Sequence, residues 1–360
     1  MMDSKELNYD ERFLLRHTGS ISQIGGLKHY YLSGGKAQGV EAVDVDTGAG
    51  LSFTVLPGRG MDIAWARYKG VPLAYMSKTG VVSPAYYEAE NFNWLRSFFA
   101  GLLTTCGMAN VGNPCVERHS ELGDIRHGLH GRVSNTAAEQ VCVKEDWIDG
   151  QYDMQISGLM REAMLHGENI TLRRNISCRL GDKSFTLQDR IKNEGMYDHH
   201  LMLLYHINLG YPLLDKNSRV ICKSQNLTTT EGRQLDEGDD YAVCHAPEEH
   251  AVQRGYSHDM IADKDGWVRV ALVNDELGLG LSIEYEKSKL PAFNQWKMLA
   301  TGEYVMGLEP GTCLPISREE LERRGEALIL RSTEEIKPRI TFTVLDGAAE
   351  IAAFEESVRI

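Results

Sequence analysis

The chain has 360 residues, 42% of them hydrophobic and 25% charged, with a formal net charge of −13. That balance is ordinary for a globular protein, and an acidic surface argues against nucleic acid or an anionic membrane as partner, because binding phosphate needs a basic face. Residues 1–20 lack the apolar core of a secretory signal, and no stretch approaches the roughly 18 apolar residues of a membrane span.

The first ~20 residues read as a peripheral extension of a single domain covering residues 1–360. Strand signals then dominate. Val40–Asp46, Leu51–Leu56, Val141–Val143, Ile170–Leu180 and Phe185–Asn193 are β-rich or alternate with period two, and Asn193-Glu194-Gly195 reads as a turn. Leu201–Asn208, Arg219–Cys222, Val268–Val273, Leu279–Tyr285, Tyr304–Leu308 and Ile340–Val344 continue the pattern, with a second turn at Lys264-Asp265-Gly266. Helical signals are few. Glu90–Leu103 places Phe92, Leu95, Phe98 and Phe99 roughly on one face. Ser317–Gly325 opens on a candidate N-cap, with Glu320 placed to complete a capping box, and Ala348–Ser357 is a third candidate. No βαβ rhythm and no phosphate-binding glycine motif occurs. The expectation is an all-β fold, mostly antiparallel, with a few short helices. The seven cysteines form no CxxC and read as reduced thiols of a cytoplasmic protein.

Chemistry-bearing residues gather at five places. Glu309 ends an apolar run, Tyr304-Val305-Met306-Gly307-Leu308-Glu309, just before Pro310 and Gly311. A buried carboxylate without a partner costs several kcal/mol, so it has a partner or a task unless it faces solvent. His206 lies in a second apolar run, Leu201–Leu209, which also carries Asn208. Alone it reads as a core histidine; paired with a carboxylate it becomes a candidate general acid. The segment His127-Gly128-Leu129-His130-Gly131-Arg132 puts two imidazoles and a guanidinium between glycines, which suits a polar pocket wall. Its HxxH spacing also admits a metal, although the helical HExxH pattern is absent. Arg59, between two glycines, either reaches into a pocket or pairs with Asp62 at the surface. Gln295 and Lys297 flank Trp296, a mixture of directional polar groups and a flat apolar face that suits a sugar ring; Trp296 by itself reads as a packed aromatic.

Taken in order, these motifs resemble the aldose 1-epimerase (galactose mutarotase-like) superfamily. The carriers are His127-Gly128-x-His130-Gly131, the strand Phe185–Ile191 with its Asn193-Glu194-Gly195 turn, His206-Ile207-Asn208-Leu209, and Gly307-Leu308-Glu309-Pro310. The likeness spans roughly residues 20–345, most of the chain. It implies a large antiparallel β-supersandwich with a sugar cleft. It also implies that Glu309 takes the proton of the anomeric hydroxyl while His206 protonates the ring oxygen, with no cofactor and no metal. Ile207-Asn208 replaces the aromatic pair usual after the histidine, and the Arg-Gly-Met-Asp and Leu-Glu-Pro-Gly-Thr-Cys stretches look more like a bacterial side branch. Convergence of Arg59, His127, His130, Arg132 and Lys297 would favour an acidic or modified sugar. The expected partner is thus a small sugar or sugar-acid substrate, with a homo-oligomer as the further association the reading admits. The alternatives are a sugar isomerase or lyase, metal-assisted through His127, His130 and His206, and a carbohydrate-binding protein without turnover.

Overall fold

A computed structural model describes residues 7–119, 123–237 and 239–359. Among the described residues, two large antiparallel sheets pack face to face. The 11-stranded sheet runs, edge to edge, Gly26–Tyr31, Glu41–Asp46, Leu51–Leu56, Asp62–Tyr68, Leu103–Met108, Met202–Gly210, Glu303–Gly311, Ala292–Ala300, Arg254–Met260 and Ser224–Thr229, with the short Val71–Pro72 beside Asp62–Tyr68. The 9-stranded sheet runs Ser218–Cys222, Trp267–Asn274, Leu279–Glu286, Arg339–Asp346, Ser184–Asn193, Asn169–Arg179, Gln151–Ala163 and Glu139–Ile148, with Glu335–Ile336 paired to Ser184–Asn193. This is the antiparallel supersandwich that the sequence led one to expect.

Alternation along each strand sends one set of side chains between the sheets. From the His206 strand these are Leu203, Tyr205, Ile207 and Leu209, which join Met306, Leu308, Phe342 and Ile283 in the main core. The core is not wholly apolar. Arg174, fully buried, pairs with Asp189 at 2.7 Å and donates to Thr105 Oγ1 at 2.8 Å, while the Tyr205 hydroxyl donates to Asp189 at 2.8 Å.

Every strand segment read from the sequence falls on an observed strand, and Lys264–Gly266 forms a turn, though it links strands of different sheets rather than a hairpin. Two of the three helices are present. Arg318–Arg324 is N-capped by Ser317, whose side chain accepts from the Glu320 N–H, and it ends on Gly325 with φ of 70°. The reciprocal half of the capping box does not form, because Glu320 pairs with Arg323 and Arg324 instead. Ala348–Arg359 is the C-terminal helix. The helix expected at Glu90–Leu103 is a correction. Only Asn93–Arg96 makes a helical turn, of the tighter 3₁₀ kind, and Leu103 already begins a strand. Phe92 and Leu95 are 56% and 51% exposed, so the aromatics do not share one buried face. Ala100 and Gly101, at φ of 63° and 68°, turn the chain into the sheet. No helix among the described residues is long and apolar enough to cross a membrane, and all seven cysteines are free thiols.

Candidate functional site

The site is a product of register on the outer face of the large sheet. Strand Glu303–Gly311 lies between Met202–Gly210 and Ala292–Ala300, with Ile207 opposite Leu308, Asn208 opposite Gly307 and Asn294 opposite Glu309. His206, Glu309 and Asn294 therefore form one row across three strands, and Asn208, Gly307 and Trp296 form the next. His206 Nε2 lies 3.2 Å from Glu309 Oε1, with side chains 7% and 2% exposed. Asn294 Nδ2 donates to Glu309 Oε2 at 2.6 Å, and the Thr230 hydroxyl donates to Asn294 Oδ1 at 2.6 Å. This relay fixes one carboxyl oxygen and leaves the other free.

Gly307 leaves a gap in the second row. A Cβ there would sit 2.4 Å from Glu309 Oε1 and 3.0 Å from Trp296 Cβ. Around this gap, Glu309 Oε1, His206 Nδ1 and Asn208 Oδ1 are buried without hydrogen-bond partners among the described residues. Each such atom costs about 1–3 kcal/mol, so three on one face of neighbouring strands mark a place built for polar groups from outside the chain.

Aromatic rings enclose the row. Phe98 and Trp296 lie 5.3 and 5.4 Å from the His206 ring, and Trp94 stacks on Phe98 at 4.6 Å. His130, from the glycine-rich loop, meets His206 edge-on at 5.9 Å. Its Nδ1 accepts from the Gly112 N–H at 3.3 Å, which assigns the ring proton to Nε2. Gly131 lets this loop touch the sheet, since a Cβ there would fall 2.2 Å from the Gly107 carbonyl oxygen.

Burial sets the protonation states. It pushes the Glu309 carboxyl up to about 8, against the opposing hydrogen bond from Asn294. It pulls His206 down to about 3, helped by neighbouring His130 and opposed by Asn208, and takes His130 to about 4. Between these limits the His206–Glu309 pair carries one proton, and burial favours holding it on the carboxyl.

The structure thus brings together Glu309, His206, Asn208 and His130 of the residues singled out by sequence, and it places the others elsewhere. Arg59 is fully buried, and neither of its expected roles forms. Its Nε donates to Ser134 O at 2.6 Å and its Nη1 to Val82 O at 2.5 Å, with Ser97 O at 3.3 Å. It staples three loops together. Asp62 is also fully buried and accepts from Thr105 N–H at 2.9 Å and Thr105 Oγ1 at 2.7 Å, so it is no surface partner of Arg59. Gln295 and Lys297 share the parity of core-facing Phe293, opposite to Asn294 and Trp296. Gln295 bonds His258 at 3.0 Å, and Lys297 Nζ is held by the carbonyls of Asp240 and Val243 at 2.7 and 2.6 Å. His127 binds Glu117 at 2.8 Å, with Arg318 at 3.1 Å, and so does not join His130 and His206. Arg132 is half-buried and its charge bears on Tyr87 and Glu162. Among the described residues, no three His, Cys, Asp or Glu side chains are grouped to hold a metal. Asn294, Thr230, Trp94 and Phe98 join the site without having stood out in the sequence. Asn294 and Trp296 had a signal in their shared parity, whereas Thr230, Trp94 and Phe98 reach the site through loops and had none.

Comparison with known proteins agrees with this architecture. A Klebsiella pneumoniae protein provisionally assigned as an aldose 1-epimerase superposes with a TM-score of 0.83 at 24% identity, covering 92% of this chain and 86% of that one. A galactose mutarotase-like protein from Clostridium acetobutylicum superposes with a TM-score of 0.62 at 12% identity, covering 90% and 99%. Galactose 1-epimerase from Lactobacillus acidophilus gives 0.57 at 12% identity, covering 90% and 99%. At these identities the likeness shows the fold. No curated protein matches the chain by sequence. Residues 37–344 match the family described as "Domain of unknown function (DUF4432)", and the chain belongs to that family, with the galactose mutarotase-like fold.

Proposed function

We propose that this chain interconverts the anomers of an aldose by proton transfer at Glu309 and His206. The observation that carries the reading is the cross-strand pair itself: a carboxyl and an imidazole 3.2 Å apart, each with a buried unpartnered atom, beside a gap in the sheet surface. The hydroxyl oxygen and the ring oxygen of a cyclic aldose are bonded to one carbon. Two groups set side by side can therefore each face one of them. The Glu309 carboxylate takes the proton from the anomeric hydroxyl, and the His206 imidazolium gives one to the ring oxygen as the C1–O bond breaks. The open-chain aldehyde turns about C1–C2 and recloses as the protons return. The pair holds one proton throughout, the count that burial sets at neutral pH; burial keeps it on the carboxyl, so the reacting form is reached by its transfer from Glu309 to His206. Phe98, Trp94 and Trp296 exclude water and present flat faces to the C–H side of a sugar, while Asn208 and His130 offer polar groups to its hydroxyls. A neutral aldose fits better than an acidic one, because Arg59 and Lys297 are committed elsewhere.

The test is anomer exchange by NMR across neutral and acidic aldoses, run in deuterium oxide. Exchange faster than the buffer rate is expected, without deuterium at carbon. Glu309→Gln and His206→Ala are each expected to slow it by at least ~100-fold. A rate equal to buffer for every sugar, or native rates in both variants, would sink the proposal. Deuterium at carbon would instead make the pair a carbon-acid base.

A further inference from the structure

A cleft apart from the Glu309 row opens on the outer face of the large sheet, near its N-terminal edge. Its volume is about 280 Å³, close to the lower end of ligand pockets, about 300 Å³. It is lined by outward-facing side chains of four strands, among them Trp65, Thr54, Asp44, Asp46, Lys28 and Arg67. The registers place them in two cross-strand rows. Lys28 lies opposite Asp44, and Asp44 opposite Thr54; in the next row, Asp46 lies opposite Ser52, and Ser52 opposite Arg67.

Three features define what it would hold. Trp65 is half-buried: it packs against the cluster of Ala42, Leu56, Ala64, Val81 and Phe99, and it also lines the cleft. Its indole N–H has no hydrogen-bond partner among the described residues. Asp44 is fixed in orientation, because Tyr30 and Thr54 both donate to its Oδ1, at 2.9 and 2.6 Å, while its Oδ2 has no partner among the described residues. Charge is balanced, with two carboxylates facing two cations, so the cleft selects neither anions nor cations. A flat aromatic flanked by a fixed acceptor, hydroxyls and long-chain donors is matched by a neutral polyol ring, with a C–H face and a hydroxyl rim.

We infer that this cleft is a second, non-catalytic carbohydrate site, which binds a neutral mono- or disaccharide against Trp65. In the sheet, strand Leu103–Met108 separates the four strands of the cleft from the His206 strand, so the cleft would be occupied independently of turnover.

The experiment is saturation-transfer NMR of the intact protein with methyl β-galactoside and methyl β-glucoside, whose blocked anomeric carbon cannot be turned over. Trp65→Ala is expected to lower the saturation signal at least threefold, and Trp65→Phe to keep more of it. Ser52→Arg fills the cleft without removing the aromatic and is expected to lower the signal likewise, which guards against a folding defect in Trp65→Ala. Asn208→Ala removes a polar group of the Glu309 site, and signal that survives there but not in the cleft variants places binding in the cleft. Native signal in folded Trp65→Ala and Ser52→Arg, or no signal from either glycoside, overturns the inference. Anomer exchange without cleft binding would leave the catalytic reading standing alone, and cleft binding without exchange would do the reverse.

Discussion

Asn294→Ala tests the relay behind the carboxyl. Asn294 donates to Glu309 Oε2 at 2.6 Å and is the group that opposes the upward push of burial on that carboxyl. A hydrogen bond to a charged group is worth about 1.5–3 kcal/mol. At 1.36 kcal/mol per pKa unit, its loss raises the Glu309 pKa from about 8 by roughly one to two units. Two consequences have definite signs. The carboxylate form that accepts the sugar proton becomes harder to reach, so kcat/KM on the neutral plateau falls by about tenfold to a hundredfold. The pair also keeps its single proton to higher pH, so the alkaline fall of kcat/KM that the proposed reaction predicts near 8 for the native chain moves up by one to two units. The assay is anomer exchange from pH 5 to 10 by NMR. Thr230→Val, which breaks only the neutral bond behind Asn294, should shift both quantities in the same direction by less. A lower plateau with an unmoved alkaline limb would mean that Asn294 acts on the sugar and not through Glu309.

Other predictions address stability and placement. The Glu309 carboxyl is raised on folding, so the folded state holds its proton where the unfolded chain has released it. The resulting cost is absent below the unfolded pKa of about 4.5, grows through neutral pH and levels off above about 8. Glu309→Gln should therefore raise the melting temperature, with a gain that grows from pH 5 to 8; an equal gain at both pH values would contradict the burial argument. Gly307→Ala should displace the carboxyl, because the new methyl falls 2.4 Å from Oε1. A loss of at least tenfold in exchange rate, in a protein that still folds, is the expected result. Arg59→Met leaves buried carbonyls unpaired at about 1–3 kcal/mol each. It should cost several kcal/mol in urea unfolding, and a raised KM at native stability would return Arg59 to the sugar. Lys297→Met should likewise lower stability rather than distinguish neutral from acidic sugars.

The strands were legible because period-two alternation is a local signal and the core enforces it. Parity between neighbouring residues is equally legible. Gln295, Trp296 and Lys297 look like one polar-aromatic cluster in the sequence, yet successive residues of a strand face opposite sides. Once Phe293 is assigned to the core, Gln295 and Lys297 follow it and Asn294 and Trp296 face the site. The pairing of His206 with Glu309 could not come from composition, since register between residues a hundred positions apart is fixed by the whole sheet. The helix expected at Glu90–Leu103 failed for a related reason. Its aromatics were spaced for one helical face, but they serve separate surfaces: Trp94 and Phe98 cap the site, while Phe92 lies in solvent. Arg59 illustrates the limit for charged residues. A guanidinium between glycines looks poised for a ligand, and only the loops that supply its carbonyls reveal that it is already saturated.

The place of strand Glu303–Gly311 bears on how the protein is made. It is an interior seam of the large sheet, hydrogen-bonded on one side to Met202–Gly210 and on the other to Ala292–Ala300. Along the sheet, the Met202–Gly210 side leads only to earlier strands, and the Ala292–Ala300 side leads to Arg254–Met260 and Ser224–Thr229. During synthesis these two halves share no ladder until the seam strand leaves the ribosome. The strand that unites them also delivers Glu309. Joining the sheet and bringing Glu309 beside His206 are one event, so a nascent chain cannot assemble this pair before its largest sheet has closed.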